Sequence, residues 1–384
     1  HLRFDEAVAI ATTELLRNES GSLLLFLPGV GEILRVQEQL AGRVGSDILL
    51  CPLYGALSLA EQRQAILPAP PGRRKVVLAT NIAETSLTIE GIRLVVDCAQ
   101  ERVARFDART GLTRLITQRI SQASMTQRAG RAGRLELGIC LHLLAKEQAE
   151  RAAAQGEPEI VQSDLSGLLM ELLQWGCTDP AQLSWLDRPP VVNMQAATRL
   201  LQMLGALEGD RLSATGRKMA ALGNDPRLAA MLVSANNDDE AATAAKLAAI
   251  LEEPPRGGST DLATAFLRHQ PAWQLRSQQL LKRLNVRGGQ PDSERLAPLL
   301  AQAFADRIAR RRGQEGRYQL ANGMGAMLDA DDASARHEWL IAPLLLQGSA
   351  SPDARILLSL PLDIDRLIQT CPELLQQSDT IEWD

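Results

Sequence analysis

No run of 18 consecutive apolar residues occurs in this 384-residue sequence, and its opening residues lack the charged, apolar and small-residue succession of a secretory leader. Neither a membrane span nor secretion is therefore expected. The five cysteines, Cys51, Cys98, Cys140, Cys177 and Cys371, are scattered without a CxxC pair. That spacing argues against a zinc site and a disulfide framework, and fits a reducing cytoplasm. The net charge of −5 leaves no global basic field to drive non-specific nucleic-acid binding, so any nucleic acid must be held by a local groove. Only five of the 41 basic residues are lysine, a bias of little weight. The chain is long enough, and at 45% hydrophobic apolar enough, to bury sizeable cores in roughly two to four domains.

What is present centres on residues 121–134, SQASMTQRAGRAGR. With Ser121 as N-cap, a helix places Gln127, Arg131 and Arg134 at i, i+4 and i+7, within about 60° of arc. Gly130 and Gly133 flank that face, and each costs a helix about 0.5–1 kcal/mol relative to Ala. Two permanently charged guanidinium forks beside glycines that allow close approach suit concentrated negative charge, above all a phosphate chain. A solvated Arg-rich surface helix is the alternative.

Residues 1–150 read as an α/β unit. Strand-length apolar runs at Ser22–Leu27, Ile48–Cys51, Lys75–Ala79, Arg93–Asp97 and Ile139–Leu144 alternate with helical patterns such as Gly31–Leu40 and Ser58–Leu67. Such alternation implies a mostly parallel sheet covered on both faces, with ligands at the carboxyl ends of its strands. Polar loops follow the strands there, holding Gly29, Tyr54, and Thr80 with Asn81. Such loops can track a sugar–phosphate backbone, though each alone is an ordinary βα turn. Between Gln100 and Ile120 the pattern becomes a β-hairpin around Ala108-Arg109-Thr110-Gly111, carrying Arg102, Arg105, Arg109, Arg114 and Arg119. It is either a wedge against nucleic acid or a solvated ribbon.

These residues carry a resemblance. RRKVVLATNIAETSLTIEGIRLVVD (73–97) followed by SQASMTQRAGRAGR resembles motifs V and VI of the DEAH-box helicases, and SLLLFLPGVGEI (22–33) resembles motif IV, in the same order and spacing. Within the family the resemblance is to the bacterial HrpB type, and it extends more weakly past residue 150. It implies a second RecA-like domain, with nucleotide bound in a cleft against a first. Gln127 would then position the attacking water or the γ-phosphate, and Arg131 and Arg134 would act as arginine fingers. Ser86, Thr88 and Glu90 would link nucleotide to nucleic acid. Thr80 and Asn81, with Gly29, Tyr54 and Arg105, would contact the bound strand. Glu90 stands where the family usually has Asp near the ribose, and Ile66 where many relatives stack a Phe on the base.

The larger departure is an absence: the phosphate-cradling GxxxxGK[ST] loop does not occur, nor does a strand ending in a DExH box. Asp238-Asp239-Glu240-Ala241 precedes an Ala-rich helix and reads as its cap. ATP, or another NTP, with Mg²⁺ is the implied ligand, its Mg²⁺ ligands on an upstream RecA-like domain. No metal site is expected here, and the chain alone is expected to be inactive.

After residues 1–151, a winged-helix-like segment is expected over 152–221, with helices at Leu165–Leu173 and Asn193–Gly205 and a hairpin over 206–216. The second helix offers only Arg199, so a structural role is preferred to DNA recognition. LGNDPRLAAML (222–232) opens a helical bundle resembling the family's ratchet domain, 222–294. The final segment, 295–384, begins with a helix over Leu296–Arg312 and continues as an OB-fold-like barrel. Its Tyr318 and Trp339 are the aromatics available for stacking, beside the basic Arg310-Arg311-Arg312.

The expected function is the C-terminal part of an ATP-dependent DEAH-box helicase in the cytoplasm, moving on single-stranded nucleic acid, RNA in the first instance. Its expected partners are that strand, the upstream domain and a protein activator. A non-catalytic nucleic-acid-binding or scaffold module is the alternative. Because Ile66 offers no aromatic face, the intact gene product should hydrolyse ATP, GTP and CTP at comparable rates, and a strong preference for ATP would count against that assignment.

Overall fold

The structure, a computed structural model, describes residues 2–223, 225–348 and 351–375. It divides into two compact units, one of residues 1–104 and 115–158, the other of 105–114 and 159–384.

The first unit runs α1 (Phe4–Asn18), β1 (Ser22–Phe26), α2 (Val30–Ala41), β2 (Ile48–Leu53), α3 (Leu59–Ile66), β3 (Arg74–Ala79), α4 (Ile82–Thr85), β4 (Ile92–Asp97), β5 (Gln100–Asp107), β6 (Leu112–Arg119), α5 (Gln122–Ala129), β7 (Ile139–His142) and α6 (Lys146–Glu150). Among the described residues, β2, β3, β1, β4 and β7 form one parallel sheet in that order. The expected apolar runs are thus strands of a parallel sheet. Helix α1 is an addition to the expected elements.

Central β1 is buried along its whole length because both its faces are covered. Leu23, Leu25 and Leu27 pack with Ile33, Val36 and Leu40 on one side, and Leu24 and Phe26 with Val77, Ala83 and Val95 on the other. Two cations in the sheet serve its architecture. Buried Lys75 donates to the carbonyls of Ala65 and Leu67, capping the end of α3. Arg74 donates to the carbonyls of Leu16, Glu19 and Gly21 at 2.7–2.8 Å and so pins the end of α1. The expected hairpin forms from β5 and β6, and Gly111 takes φ +69° at its turn.

The second unit continues with α7 (Glu159–Gln162), α8 (Ser166–Gln174), α9 (Val191–Met203), β8 (Leu207–Glu208), β9 (Arg211–Leu212), α10 (Ala214–Leu222), α11 (Pro226–Val233), α12 (Asp238–Glu252), α13 (Leu262–Phe266), α14 (Pro271–Leu284) and α15 (Leu296–Phe304). The small hairpin is shorter than expected. The Ser213 hydroxyl accepts from the Gly216 N–H and starts α10, so residues 213–216 belong to the helix or its cap. Residues 238–241 are not the cap but the first turn of a helix, whose cap is Asn237 with its side chain accepting from the Glu240 N–H.

The helix expected over Leu296–Arg312 ends at Phe304, and Ile308–Arg311 is strand β10. Ala309 is needed in a barrel core, where it meets Leu320 and Leu340 of neighbouring strands. That barrel closes in the order β10, β11 (Arg317–Leu320), β12 (Gly325–Met327), β14 (Ala354–Pro361), β13 (Trp339–Leu346), with β12 and β14 the parallel pair. Helix α16 (Ile364–Thr370) follows. Tyr318 is not the expected stacking platform. It is 3% exposed, and its hydroxyl donates to the carbonyls of His337 at 2.6 Å and Ser334 at 3.1 Å, a core strut. Trp339 is half-buried with the Arg310 guanidinium 5.3 Å from its ring centre. The hairpin tip belongs to this unit: Leu112 is buried among the barrel residues, and Thr110 donates to Gln347 Oε1 at 2.9 Å.

No helix among the described residues is long and apolar enough to cross a membrane. Asn224, and residues 376–384 of the expected last segment, lie outside the described residues. Barrel closure rests on Gly316, whose φ is +84° and where a Cβ would stand 2.4 Å from the Leu328 carbonyl oxygen. Gly316→Ala should cost about 1–3 kcal/mol. Gly313→Ala, also at positive φ but with nothing within 4 Å, should cost only the backbone part of that, and equal losses in denaturant unfolding would refute the crowding argument.

Candidate functional site

Ser121 caps α5, its hydroxyl accepting from the Ser124 N–H at 3.1 Å. The helix ends sooner than expected. It has eight residues, Gly130 forms its C-cap, and Gly133 takes φ +64°. Arg131 and Arg134 therefore lie beyond the helix, and the i, i+4, i+7 arc does not form. The reason is steric. A Cβ at Gly133 would lie 2.2 Å from Gly138 N and 2.4 Å from Glu136 O, so this glycine lets the chain fold against itself rather than opening it to a ligand. Its N–H donates to the Ile92 carbonyl at 3.2 Å, tying the loop to the start of β4.

The inward face of α5 carries Met125 and, three residues on, Arg128, which is 0% exposed. Arg128 Nη1 donates to Asp97 Oδ1 at 2.9 Å and to the Gln100 carbonyl at 3.3 Å, while Nε donates to Glu84 Oε1 at 3.0 Å. The guanidinium lies 4.8 Å from the Phe26 ring centre. Asp97, fully buried at the end of β4, also accepts from the Ala99 N–H at 2.8 Å, and its Oδ2 stands 3.0 Å from His142 Nδ1. Glu84 accepts a further bond from the Ser124 hydroxyl at 3.3 Å. Two carboxylates and two cations thus neutralise each other on one face of the sheet.

The titration of these groups follows from that pairing. Burial alone would raise the Asp97 carboxyl, but the His142 hydrogen bond and the Arg128 charge hold it below the usual carboxylate range. Burial would lower Arg128, and Asp97 and Glu84 more than offset it. The Asp97 hydrogen bond, with a smaller one from Cys140, carries His142 up to about 10.

Arg131 and Arg134 differ in their surroundings. Arg131 Nε donates to the Glu84 carbonyl at 2.7 Å and Nη1 to the Leu87 carbonyl at 3.0 Å, so it straps the loop after α5 onto the segment that holds Ser86. Burial, then the nearby charge of Arg134, lowers its pKa. Arg134 is exposed and has no hydrogen bond or ion pair among the described residues. Gln127 is likewise exposed. Ser86, Thr88 and Glu90 lie exposed after α4, and the Glu90 N–H donates to the Ile66 carbonyl at 3.2 Å, which brings the two positions assigned to ribose and base together. Asn81 is exposed at the start of α4 and Thr80 is half-buried.

Other expected contacts are less open. Gly29 is buried, and a Cβ there would lie 2.0 Å from Arg102 Nη1, which pairs with Glu32. Tyr54 is half-buried against the Leu23–Leu25 core, and Arg105 lies half-buried in the second unit. Sequence reasoning missed Glu84, Asp97, Arg128 and His142. A signal existed: Arg128 shares a helix face with Met125, and Asp97 ends an apolar strand, so each demanded a partner of opposite charge. Among the described residues no group of three or more His, Cys, Asp and Glu side chains is placed to hold a metal ion.

Residues 6–136 match the family described as Helicase conserved C-terminal domain. Over all 384 residues the chain is 84% identical to the ATP-dependent RNA helicase HrpB of Escherichia coli K12, spanning 48% of that relative. It is 36% identical over 236 residues to the ATP-dependent RNA helicase HrpA of the same organism, 60% of this chain and 18% of the relative. It is 38% identical over 223 residues to the pre-mRNA-splicing factor ATP-dependent RNA helicase prp22 of Schizosaccharomyces pombe, 56% of this chain and 19% of the relative. The crystal structure of the E. coli DExH-box NTPase HrpB superposes with a TM-score of 0.94 at 84% identity, covering 100% of this chain and 48% of that one. The chain therefore spans about half the length of the HrpB relative and under a fifth of the other two.

Because His142 binds its proton more tightly folded, at about 10, than at its ordinary 6.5, its stabilising contribution is whole below pH 6.5 and lost as pH rises through 10. The gap in denaturation midpoint between the parent and His142→Gln should be widest near pH 6 and shrink towards pH 10. A gap that is constant with pH would exclude the ion pair.

Proposed function

We propose, from the premise that this chain belongs to the DEAH-box helicases as the part carrying their helicase C-terminal domain, that it supplies the phosphate-facing half of an NTPase site and a track for single-stranded nucleic acid. The observation that carries this is Arg134. It is an exposed guanidinium without a partner among the described residues, on a loop strapped down by Arg131 and rooted by buried Arg128. A permanently charged group on an anchored loop, with no ion pair to break, is suited to neutralise charge that grows on a phosphoryl group during transfer.

In this reading Arg134 is the principal finger and Gln127 orients the attacking water. Arg131 adds charge while holding the segment of Ser86, Thr88 and Glu90 in register, and Ile66 lies under the base. ATP with Mg²⁺ is the nucleotide, with the Mg²⁺ ligands on an upstream RecA-like domain. Thr80 and Asn81 follow the strand backbone. RNA is the proposed strand, since the relatives at 84%, 36% and 38% identity are RNA helicases by name. Segments 152–221, 222–294 and 295–384 act as winged-helix, ratchet and OB-fold parts around it, and a protein activator remains a proposed partner. Those identities also weigh against a purely non-catalytic scaffold.

Arg134→Ala in the intact gene product should lower turnover by about 10³–10⁵-fold while nucleotide still binds. Turnover unaffected by the substitution would remove Arg134 from the site and with it the assigned role of this loop.

A further inference from the structure

Three side chains stand in line at the β7 edge of the sheet, on its Phe26 face. Cys140 and His142 are two residues apart on β7 and so share a face, and the ladder pairs His142 with Asp97 and Cys140 with Val95 of β4. His142 Nδ1 lies 3.0 Å from Asp97 Oδ2, and its Nε2 lies 3.5 Å from Cys140 Sγ. Thiol, imidazole and carboxylate follow the order of a nucleophile, its base and the group that orients the base. Asp97 cannot turn away, because Arg128 and the Ala99 N–H hold it, and Arg128 is held in turn by Glu84.

Nothing in the nucleotide chemistry uses this sulfur. The other cysteines lack the arrangement. Cys98 is buried with Sγ towards the Gln100 carbonyl, its thiol pushed up to about 11 by burial, and burial also raises Cys51 and Cys371. Cys140 is half-buried, so small reagents can reach it, and the imidazole beside it is held in its protonated form at neutral pH.

We propose that Cys140 is a modification site, its sulfur activated by the hydrogen-bonded His142 imidazole and reacting as the nucleophile towards peroxides and soft alkylating agents. With hydrogen peroxide the sulfur attacks one oxygen, the S–O bond forms and the O–O bond breaks. The departing hydroxide takes the proton from His142 Nε2 and leaves as water. Sulfur is oxidised by two electrons to the sulfenic acid, and peroxide is reduced. A small thiol then displaces water from the sulfenic sulfur to give a mixed disulfide, and a second thiol releases Cys140 as the free thiol with formation of the small-molecule disulfide.

The test is peptide-resolved alkylation of the intact gene product by iodoacetamide from pH 5 to 9, with half-buried Cys177 as internal standard and dimedone trapping after peroxide. At pH 5.5 an ordinary thiol is almost wholly protonated, so Cys140 should react on the order of 10-fold faster than Cys177. Peroxide should place dimedone on Cys140. His142→Gln should return Cys140 to the profile of an ordinary thiol, rising towards pH 8.5, with buried Cys98 of the same unit still protected from alkylation reporting that the variant is folded. Equal rates at pH 5.5, or a Cys140 profile that His142→Gln leaves in place, would overturn the proposal.

Discussion

The Phe26 face of the sheet depends on Arg128 being neutralised where solvent does not reach it. A lone guanidinium in that position would be prohibitively costly, and even a pair forfeits several kcal/mol of hydration per ion. What offsets this is multiplicity: two carboxylates, one backbone carbonyl and an aromatic ring converge on one side chain. Its hydrogen-bonding partners come from α4, β4 and the root of the hairpin and the ring from β1, so the charge is not paired unless these are in place, and Nη2 is left without a hydrogen bond among the described residues. A buried charge of this kind adds less to stability than an apolar residue of the same size, but it specifies position. The loop that presents Arg134 inherits that position.

The same economy of anchoring recurs along the hairpin. Its root is fixed by the Gln100 carbonyl and by Arg102, which closes on Glu32 over Gly29. Its tip is fixed in the second unit by Leu112 in the barrel core and Thr110 on Gln347. The arginines that suggested a wedge are therefore in part structural, with Arg114 and Arg109 turned towards Asp107. Several cations of the hairpin and of α5 that look available in the sequence are already paired in the fold, whereas Arg134 has no partner among the described residues.

The strands were legible because a parallel sheet covered on both faces leaves an unbroken apolar record, as in Ser22–Leu27, and the cap at Ser121 was legible because capping is local. The end of α5 was not. Its glycines looked like allowances for a ligand, whereas Gly133 answers to Gly138, a contact that no periodicity reveals. The strand at Ile308–Arg311 was missed for a similar reason: its apolar–polar pattern suits a helix, and only pairing with β11 and β13 decides otherwise. In the site, exposed candidates such as Gln127 and Arg134 could be named from a motif. The groups that hold them, Glu84, Asp97 and His142, are dispersed along the chain and meet only through β4, β7 and α4.

The most direct measurement is a double-mutant cycle of Arg128→Met and Asp97→Asn in the intact gene product, read by both unfolding and nucleotide turnover. If the buried pair positions the phosphate-facing loop, each single variant should be worse than the double variant would suggest, with a coupling of about 0.5–3 kcal/mol in stability and parallel non-additivity in turnover. Losses that simply add in both readouts would mean that the two residues act independently, and that the loop presenting Arg134 is held by something else.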